Sequence, residues 1–246
     1  MFEIKTKAKN LKEIHELVNP LISEAKFNIT KEGFGLRAVD LAHVAMVDLN
    51  IKKKAFEEYK ATEMELGVDL DKLNSFLRLT SAENLVQLKH DEDTNRLICT
   101  DITTGLTRRM GLIDTQGMPD PKIPNLTLPC VITAPADRIK LAVKAGEALS
   151  DHIAFIAEKD KLVISAEGDT DDVELKITKD ECEKFEVKSK AKSLLSIDYI
   201  GNALKPLKEK ITIHLGNDNP MRIDFKFGEN DEGTGTYLIA PRIESE

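Results

Sequence analysis

The organisation of this chain is decided by two stretches, Leu11-Lys-Glu-Ile-His-Glu-Leu-Val-Asn-Pro-Leu21 and Ile139-Lys-Leu-Ala-Val-Lys-Ala-Gly-Glu-Ala-Leu149. Each stretch has apolar or small residues three or four positions apart, and the second repeats the first at one constant offset along the chain. This spacing places those side chains on one face of a helix, so it predicts two equivalent amphipathic helices. The matched positions are Leu11, Ile14, Leu17, Val18 and Leu21, and then Ile139, Ala142, Ala145, Gly146 and Leu149.

The repeat continues through strand patterns and a second helix. Phe27-Asn-Ile29 and Phe34-Gly-Leu-Arg-Ala38 correspond to Phe155-Ile-Ala157 and Leu162-Val-Ile-Ser-Ala166 in the second half. A second helical pattern, at residues 70–78, recurs at 197–205 with nearly the same offset. The sequence therefore predicts an α+β protein made of two similar domains, each an antiparallel sheet that carries two helices.

The two halves are joined by a proline-rich segment. Four prolines in residues 114–129 cannot donate to a β-ladder, so we expect an extended connector on the surface. The predicted division is 1–113 for the first domain, 114–129 for the connector and 130–246 for the second domain. The connector is either a plain spacer or an interaction site, since it has more apolar side chains than a spacer needs. These are Met118, Ile123, Leu126 and Leu128.

Composition excludes several classes of protein. The chain has 246 residues, of which 41% are hydrophobic and 32% are charged, so a folded globular protein with an unusually charge-rich surface is expected. Its longest segment without a charge, residues 123–136, is too short and too rich in proline to span a bilayer. The first residues lack a signal-peptide pattern, so an intracellular protein is expected. Three scattered cysteines argue against a disulfide framework and against a structural zinc site.

The charges are unevenly distributed along the chain. The formal net charge is −8, which alone argues against a nucleic-acid partner. Helical wheels, however, place lysine or arginine on the outer face of all four predicted helices, while acids collect in the loops at 91–93, 167–172 and 229–232. Such faces are either ordinary solvated surfaces or parts of one surface that contacts the phosphates of a polyanion.

Motifs for catalysis are absent from the sequence. The five histidines have no metal-ligand spacing, and there is no GxSxG, P-loop or GxGxxG pattern. The acidic runs fit turn residues, so we expect no catalytic residues, no metal and no cofactor. A binding module is the favoured class, and the alternative is a nuclease or hydrolase whose site has no recognisable motif.

Four segments carry a resemblance to a known family. They are Met1-Phe-Glu3, Leu36-Arg-Ala-Val-Asp40 leading to His43-Val44, Ile123-Pro124 in the connector, and Tyr237-Leu-Ile-Ala-Pro-Arg-Ile-Glu244. Along its whole length the chain resembles the sliding clamps of the proliferating-cell-nuclear-antigen type, particularly the archaeal members. The resemblance implies a DNA clamp fold and a ring of three subunits with helices lining the hole. A homotrimer is expected, while a heterotrimer or a subunit of a checkpoint-type clamp remains open.

The resemblance also implies a function and partners. Relatives encircle duplex DNA without reading its sequence, act as polymerase processivity factors in replication and repair, and catalyse nothing themselves. They hold DNA polymerase, flap endonuclease, DNA ligase and the clamp loader through short peptide motifs. The expected partners of this chain are therefore double-stranded DNA and those enzymes.

Three sets of site residues follow. The predicted DNA contacts are Lys12, Arg78, Lys144 and Lys205, which match basic residues of relatives, and Lys72, Lys140, Lys208 and Lys210, which come from the helical wheels. The resemblance places a partner-peptide groove at Val39, His43, Met46, Ile123, Pro124, Pro220, Leu238, Ala240, Pro241 and Ile243. It also implies a subunit interface formed by two strand edges, with Arg108, Arg109, Met110 and Leu112 on one and Val173, Leu175 and Ile177 on the other.

Overall fold

A computed structural model describes residues 1–242 of the chain. The chain divides into two compact units. Unit 1 contains Met1–Ala38, Val47–Pro121 and Lys226–Gly235. Unit 2 contains Val39–Met46, Lys122–Phe225 and the residues from Thr236 onward. The sequence-based division at 113 and 130 follows chain order. In the structure Val39–Met46 belongs to unit 2 and Lys226–Gly235 belongs to unit 1, so each unit includes one short segment from the other half of the chain.

Unit 1 is built on two antiparallel sheets and two helices. One sheet has the strand order β5-β1-β7-β8-β9, and the other strands lie in the order β4-β3-β2-β6. The elements are β1 Phe2–Lys7, α1 Ala8–Val18, β2 Glu24–Thr30, β3 Gly33–Val39, β4 Ala45–Lys52, β5 Glu58–Ala61, β6 Met64–Asp69, α2 Leu70–Leu77, β7 Leu85–Asp91, β8 Arg96–Asp101 and β9 Thr107–Gly111.

Unit 2 repeats this arrangement element by element. Its strand orders are β14-β10-β16-β17-β18 and β13-β12-β11-β15. The elements are β10 Cys130–Pro135, α3 Ala136–Gly146, β11 His152–Ala157, β12 Lys161–Glu167, β13 Asp172–Thr178, β14 Lys184–Val187, β15 Ala191–Ser196, α4 Ile197–Leu204, β16 Lys210–Leu215, β17 Met221–Phe227 and β18 Gly233–Ile239. Strands β3, β4, β17 and β18 contribute residues to both units.

The helices confirm the predicted duplication. Helices α1 and α3 each have eleven residues and begin 128 positions apart, while α2 and α4 each have eight residues and begin 127 positions apart. In unit 1 the first amide of α1, at Ala8, donates to the carbonyl of Asn84 at 2.8 Å. In unit 2 the first amide of α3, at Ala136, donates to the carbonyl of Glu209 at 2.9 Å. The first amide of each long helix, which has no partner within the helix, is therefore satisfied by the residue just before β7 or β16.

The apolar faces of the helices form the core with the sheets. Helix α1 buries Leu11, Ile14, Leu17 and Val18 as its spacing predicts, and burying one such side chain contributes roughly 1.5–3 kcal/mol. Helix α3 lies close to its sheet at Gly146, where an added Cβ would be 2.9 Å from the Cβ of Ala166. A larger residue at that position would push the helix outward. None of the helices in residues 1–242 is long and apolar enough to cross a membrane.

Candidate nucleic-acid and partner interfaces

The basic residues of unit 1 differ in what they contact. The Lys12 ammonium donates to the carbonyl oxygen of Thr80 at 2.8 Å, just after the end of α2. Lys72 is exposed and pairs with Asp69, the residue that also caps the start of α2, at 2.7 Å. Arg78 is the exposed C-cap residue of α2. Its side chain has no ion pair within residues 1–242, so it is available to a phosphate.

Unit 2 presents an equivalent set. The Lys140 ammonium donates to the carbonyl oxygen of Leu207, which lies just after α4. Lys210 begins β16 and pairs with Glu183 at 2.7 Å. Lys144 on α3 and Lys205 at the C-cap of α4 are exposed and unpaired in the described part of the chain, and Lys208 is exposed as well.

These contacts divide the predicted DNA residues by their availability. Arg78, Lys144 and Lys205 can form charge-assisted hydrogen bonds with phosphate oxygens without first breaking an internal one. Lys72 and Lys210 would have to exchange a carboxylate for a phosphate. The two lysines that donate to carbonyls, Lys12 and Lys140, are half-buried and already have a structural partner.

All described residues of the predicted groove belong to unit 2. Val39 ends β3, His43 lies in the following loop with a φ of 56°, and Met46 is half-buried on β4. In the connector Ile123 is half-buried and Pro124 is exposed, and Pro220 is half-buried just before β17.

The chain's tail is joined by backbone hydrogen bonds to a residue next to His43 and to β15. The Ala240 amide donates to the carbonyl of Val44 at 2.8 Å, and the Arg242 amide donates to the carbonyl of Leu194 at 2.8 Å. Leu238 is buried, Ala240 and Pro241 are half-buried, and Ile243 lies outside the described residues. The tail is thus held by backbone hydrogen bonds on both sides of Pro241, which has no amide to donate.

One polar group next to the groove was missed by the sequence analysis. The Asp40 carboxylate accepts hydrogen bonds from the amides of Val44 and Ala45, both at 2.7 Å, and from the amide of Ala42 at 3.0 Å. It also accepts one from the hydroxyl of Tyr199 on α4 at 2.7 Å. Burial raises the pKa of Asp40, but these hydrogen bonds outweigh it and hold the pKa below its ordinary value. An aspartate before a turn signals local hydrogen bonding, but the partner on α4 lies in the other half of the sequence.

The predicted interface strands both lie at sheet edges. Strand β9 ends the five-stranded sheet of unit 1, and β13 ends the four-stranded sheet of unit 2. Arg109 is exposed, and Arg108, Leu112, Val173 and Leu175 are half-buried. The side chains of Met110 and Ile177 are buried inside their own units.

The direction of the backbone groups in β9 follows from its neighbours. Asp101 donates to the carbonyl of Leu106, and Leu112 donates to the carbonyl of Asn95, so even-numbered residues point towards β8. Because backbone groups alternate along an antiparallel strand, the amides of Thr107, Arg109 and Gly111 point away from the sheet.

The same reasoning applies to β13. Gly168 donates to the carbonyl of Asp171, and Lys179 donates to that of Asp160, so odd-numbered residues point towards β12. The backbone groups of Glu174 and Lys176 therefore point outward, and the outward carbonyl of Lys176 accepts a hydrogen bond from Arg138 at 3.3 Å.

Comparisons with known proteins agree over the whole chain. The profile of the N-terminal domain of proliferating cell nuclear antigen matches residues 1–106, and that of its C-terminal domain matches residues 122–242. A protein of Methanococcoides burtonii named DNA polymerase sliding clamp is 38% identical over 250 residues, covering 100% of both chains. A protein of Methanocella arvoryzae with the same name is also 38% identical over 250 residues and fully covered.

Solved structures give the same result. The structure titled "C-terminal region of FEN-1 bound to A. fulgidus PCNA" includes a chain that is 32% identical, with a TM-score of 0.91 and 100% coverage of both chains. The proliferating cell nuclear antigen of Thermococcus kodakaraensis is 29% identical, with a TM-score of 0.89, covering 98% of this chain and 100% of that one.

Proposed function

The chain belongs to the proliferating cell nuclear antigen family of DNA polymerase sliding clamps, and we propose that three copies of it form a ring around duplex DNA. The observation that carries this function is similarity over the full length of archaeal sliding clamps, in sequence and in fold. As a clamp, the protein keeps a DNA polymerase and other replication and repair enzymes on their template. It catalyses no reaction of its own in this role.

Ring closure is supported by two edge strands, β9 and β13, which have no neighbouring strand on their outer side within residues 1–242. In strand order β9 is the counterpart of β18, and β13 is the counterpart of β4. In unit 2 the Ala240 amide, after β18, donates to the carbonyl of Val44, before β4. In unit 1 the Lys52 amide at the other end of β4 donates to the carbonyl of Glu232, just before β18. Pairing of β9 with β13 of the next subunit would repeat this contact between chains and would cover both exposed edges.

The charges on these edges are complementary. Strand β9 has two arginines, Arg108 and Arg109, and no acid, whereas β13 has Asp172 and Glu174 with a single lysine. A head-to-tail contact would bring these unlike edges together, while two copies of β9 would repel each other.

Contact with DNA is assigned to the exposed cations of the helices. Arg78, Lys144 and Lys205 are the strongest candidates, because no internal ion pair competes for them within the described residues. Such contacts bind the phosphate backbone, carry no sequence preference and weaken as salt concentration rises.

Partner docking is assigned to the groove in unit 2. Its described residues combine half-buried apolar side chains with a tail fixed by backbone hydrogen bonds, which is a suitable receptor for a short peptide. The solved relative that carries the C-terminal region of FEN-1 in its title supports a peptide partner for this chain. Flap endonuclease, ligase, polymerase and clamp loader are the expected classes.

One experiment tests the function as a whole. The purified protein should have a solution mass near three times 27.4 kDa and, once loaded, should stay on a closed circular duplex but slide off the same DNA after linearisation. Equal retention on both forms would contradict encirclement.

A second experiment tests the groove. Met46→Ala should weaken the binding of a peptide with a glutamine and hydrophobic and aromatic anchors by about fivefold, roughly 1 kcal/mol, without changing the solution mass of the protein.

A further inference from the structure

Arg37 is a half-buried cation on β3 that belongs to none of the predicted sites. Its Nε donates to the carboxylate of Asp48 on the neighbouring strand β4 at 2.7 Å. Its Nη1 donates to the carbonyl oxygen of Pro121 in the connector at 3.4 Å. All three residues belong to unit 1. One side chain therefore joins two strands of a sheet to the connector.

The contact with Asp48 orients the guanidinium group. A guanidinium is planar and carries five N–H donors in a rigid fork, so fixing one nitrogen restricts the directions of the others. The two side chains are 33% and 27% exposed, and an ion pair at such a site contributes little to stability by itself. The Arg37 side chain differs from an ordinary surface cation because another nitrogen of the same fork donates to the connector.

Pro121 lies in a part of the connector that has little structure of its own. Residues 118–129 form neither helix nor strand, and Pro119 and Pro121 have no amide to donate. Pro121 is also the last connector residue of unit 1. Ile123 and Pro124, which are predicted groove residues, follow it two and three positions later. A contact at Pro121 therefore holds the connector just before the residues assigned to the groove.

The duplication indicates that the fold itself does not require this arginine. Arg37 corresponds to Ser165 on β12 in the repeat. Glu174 lies opposite Ser165 across the strand pair, so an acid again faces this position while the arginine is absent. Glu174 pairs instead with Lys176 on its own strand, at 2.6 Å. A cation that occurs only in the unit where the connector begins is expected of a residue that serves the connector.

We propose that Arg37 is a strut for the connector, which holds the Pro121 carbonyl against the sheet and so positions the groove residues that follow. Arg37 is a positioning residue in this role, and Asp48 orients it. The inference rests on the proposed docking function. A connector that is already held in place loses less conformational entropy when a peptide binds, so Arg37 raises peptide affinity without contacting the peptide.

Limited proteolysis of the free protein tests the contact. Lys122 is exposed and directly follows Pro121, so the rate of tryptic cleavage after Lys122 reports how often the connector opens. Arg37→Met keeps the aliphatic stem but removes both donors, and we expect it to speed this cleavage at least about threefold, as mass spectrometry of early fragments would measure. The matched control is Lys5→Met, which removes a half-buried cation of unit 1 that pairs with Glu58 at 3.0 Å. The control should leave the rate unchanged.

A second variant separates the connector contact from the ion pair. Asp48→Asn removes the charge but keeps an oxygen that can accept from the Arg37 Nε, so the donor to Pro121 remains. We expect slower cleavage in Asp48→Asn than in Arg37→Met. If the two variants are cleaved equally fast, loss of the ion pair explains the effect and the strut is rejected. An unchanged rate in Arg37→Met, or an equal increase in Lys5→Met, would also reject it.

Calorimetry relates the contact to docking. A peptide with a glutamine and hydrophobic and aromatic anchors should bind Arg37→Met about threefold more weakly than the unaltered protein, with a less favourable binding entropy. Unchanged affinity in a variant that is cleaved faster would reject the positioning role. If the peptide fails to bind even the unaltered protein, the docking function is rejected, whereas the cleavage rates still decide whether Arg37 holds the connector.

Discussion

The ammonium of Lys12 on α1 donates a hydrogen bond to the carbonyl oxygen of Thr80, and the duplicated Lys140 on α3 makes the same bond to Leu207. Lys140 follows Lys12 at the offset that separates the two long helices, and Leu207 follows Thr80 at the offset that separates the two short ones. Each lysine thus links a long helix to the chain just after the short helix of the same unit, where carbonyls lack helical partners. The recurrence of this contact in both units indicates a structural role for both lysines.

These two lysines should matter for stability. Lys12→Met or Lys140→Met keeps most of the aliphatic stem but leaves a carbonyl without its charged donor, which should cost about 1 kcal/mol. For a unit of this size that lowers the melting temperature by a few degrees. Thermal unfolding measures the change, and Lys144→Met is the matched control on α3. If the melting temperature is unchanged in both variants, Lys12 and Lys140 have no structural role.

The exposed cations should dominate contact with DNA. Replacing Arg78, Lys144 and Lys205 together by alanine should lower the processivity of a polymerase held by the clamp and reduce the dependence of that processivity on salt. The control is the double variant with Lys72→Ala and Lys210→Ala. It also removes lysines, but these two are already paired with Asp69 and Glu183. If the variant with Lys72→Ala and Lys210→Ala lost more processivity than the triple variant, the assignment of DNA contact to Arg78, Lys144 and Lys205 would be wrong.

The sequence predicted the fold well because the same pattern occurs twice. The helical spacing around Leu11 and Ile139 fixes the helix faces, and the offset between them persists in the structure. The strand at 45–52 was harder to interpret. Val44 and Met46 alternate out of phase with Leu49 and Ile51, and the structure buries Ala45 and Val47 in phase with the latter pair.

The candidate sites were only partly predictable. Charge on a helix face can be read from a wheel, but whether a lysine has an internal partner depends on tertiary contacts such as that of Lys210 with Glu183, which lies on a different segment of the chain. The contact of Asp40 with Tyr199 has no local pattern at all, since its two groups are distant in sequence.

Asp224 should make stability depend on acid pH. It accepts hydrogen bonds from His214 and Thr236 and is paired with Arg222 at 2.8 Å. Burial raises the pKa of Asp224, but these partners outweigh it and lower the pKa from 3.8 to about 2. A depressed pKa stabilises the fold above pH 4, and this contribution is lost as pH falls through 2.

Asp224→Asn isolates this contribution. At neutral pH the variant should be less stable by about 1–2 kcal/mol, allowing for solvent screening at a partly exposed site. The difference from the unaltered protein should shrink between pH 4 and pH 2, as urea unfolding at several pH values would measure. Asp93→Asn, at an exposed turn position, is the control. If the difference in the free energy of unfolding between Asp224→Asn and the unaltered protein does not change with pH, the loss of stability comes from packing and not from the charge of Asp224.

The edge strand β9 should control assembly through its backbone. The outward amide of Arg109 is the donor that a neighbouring subunit would use, whereas the amide of Met110 points towards β8. Proline at 109 removes the outward donor and leaves the internal ladder intact, because an edge strand can accommodate the backbone torsion that the proline ring imposes. We therefore expect Arg109→Pro to shift the protein from trimers to monomers at low micromolar concentration, as sedimentation would measure.

Two controls separate the backbone from the side chain. Arg109→Ala removes the charge but keeps the amide, so the trimer should persist with a greater sensitivity to dilution. Met110→Pro removes a donor from the internal ladder and a buried side chain, so it should lower the melting temperature of the subunit itself, which Arg109→Pro should not do. If Arg109→Pro remains fully trimeric, the pairing of β9 with β13 is wrong. If Arg109→Ala dissociates as completely as Arg109→Pro, the ring is closed by side-chain charge, because both changes remove the arginine.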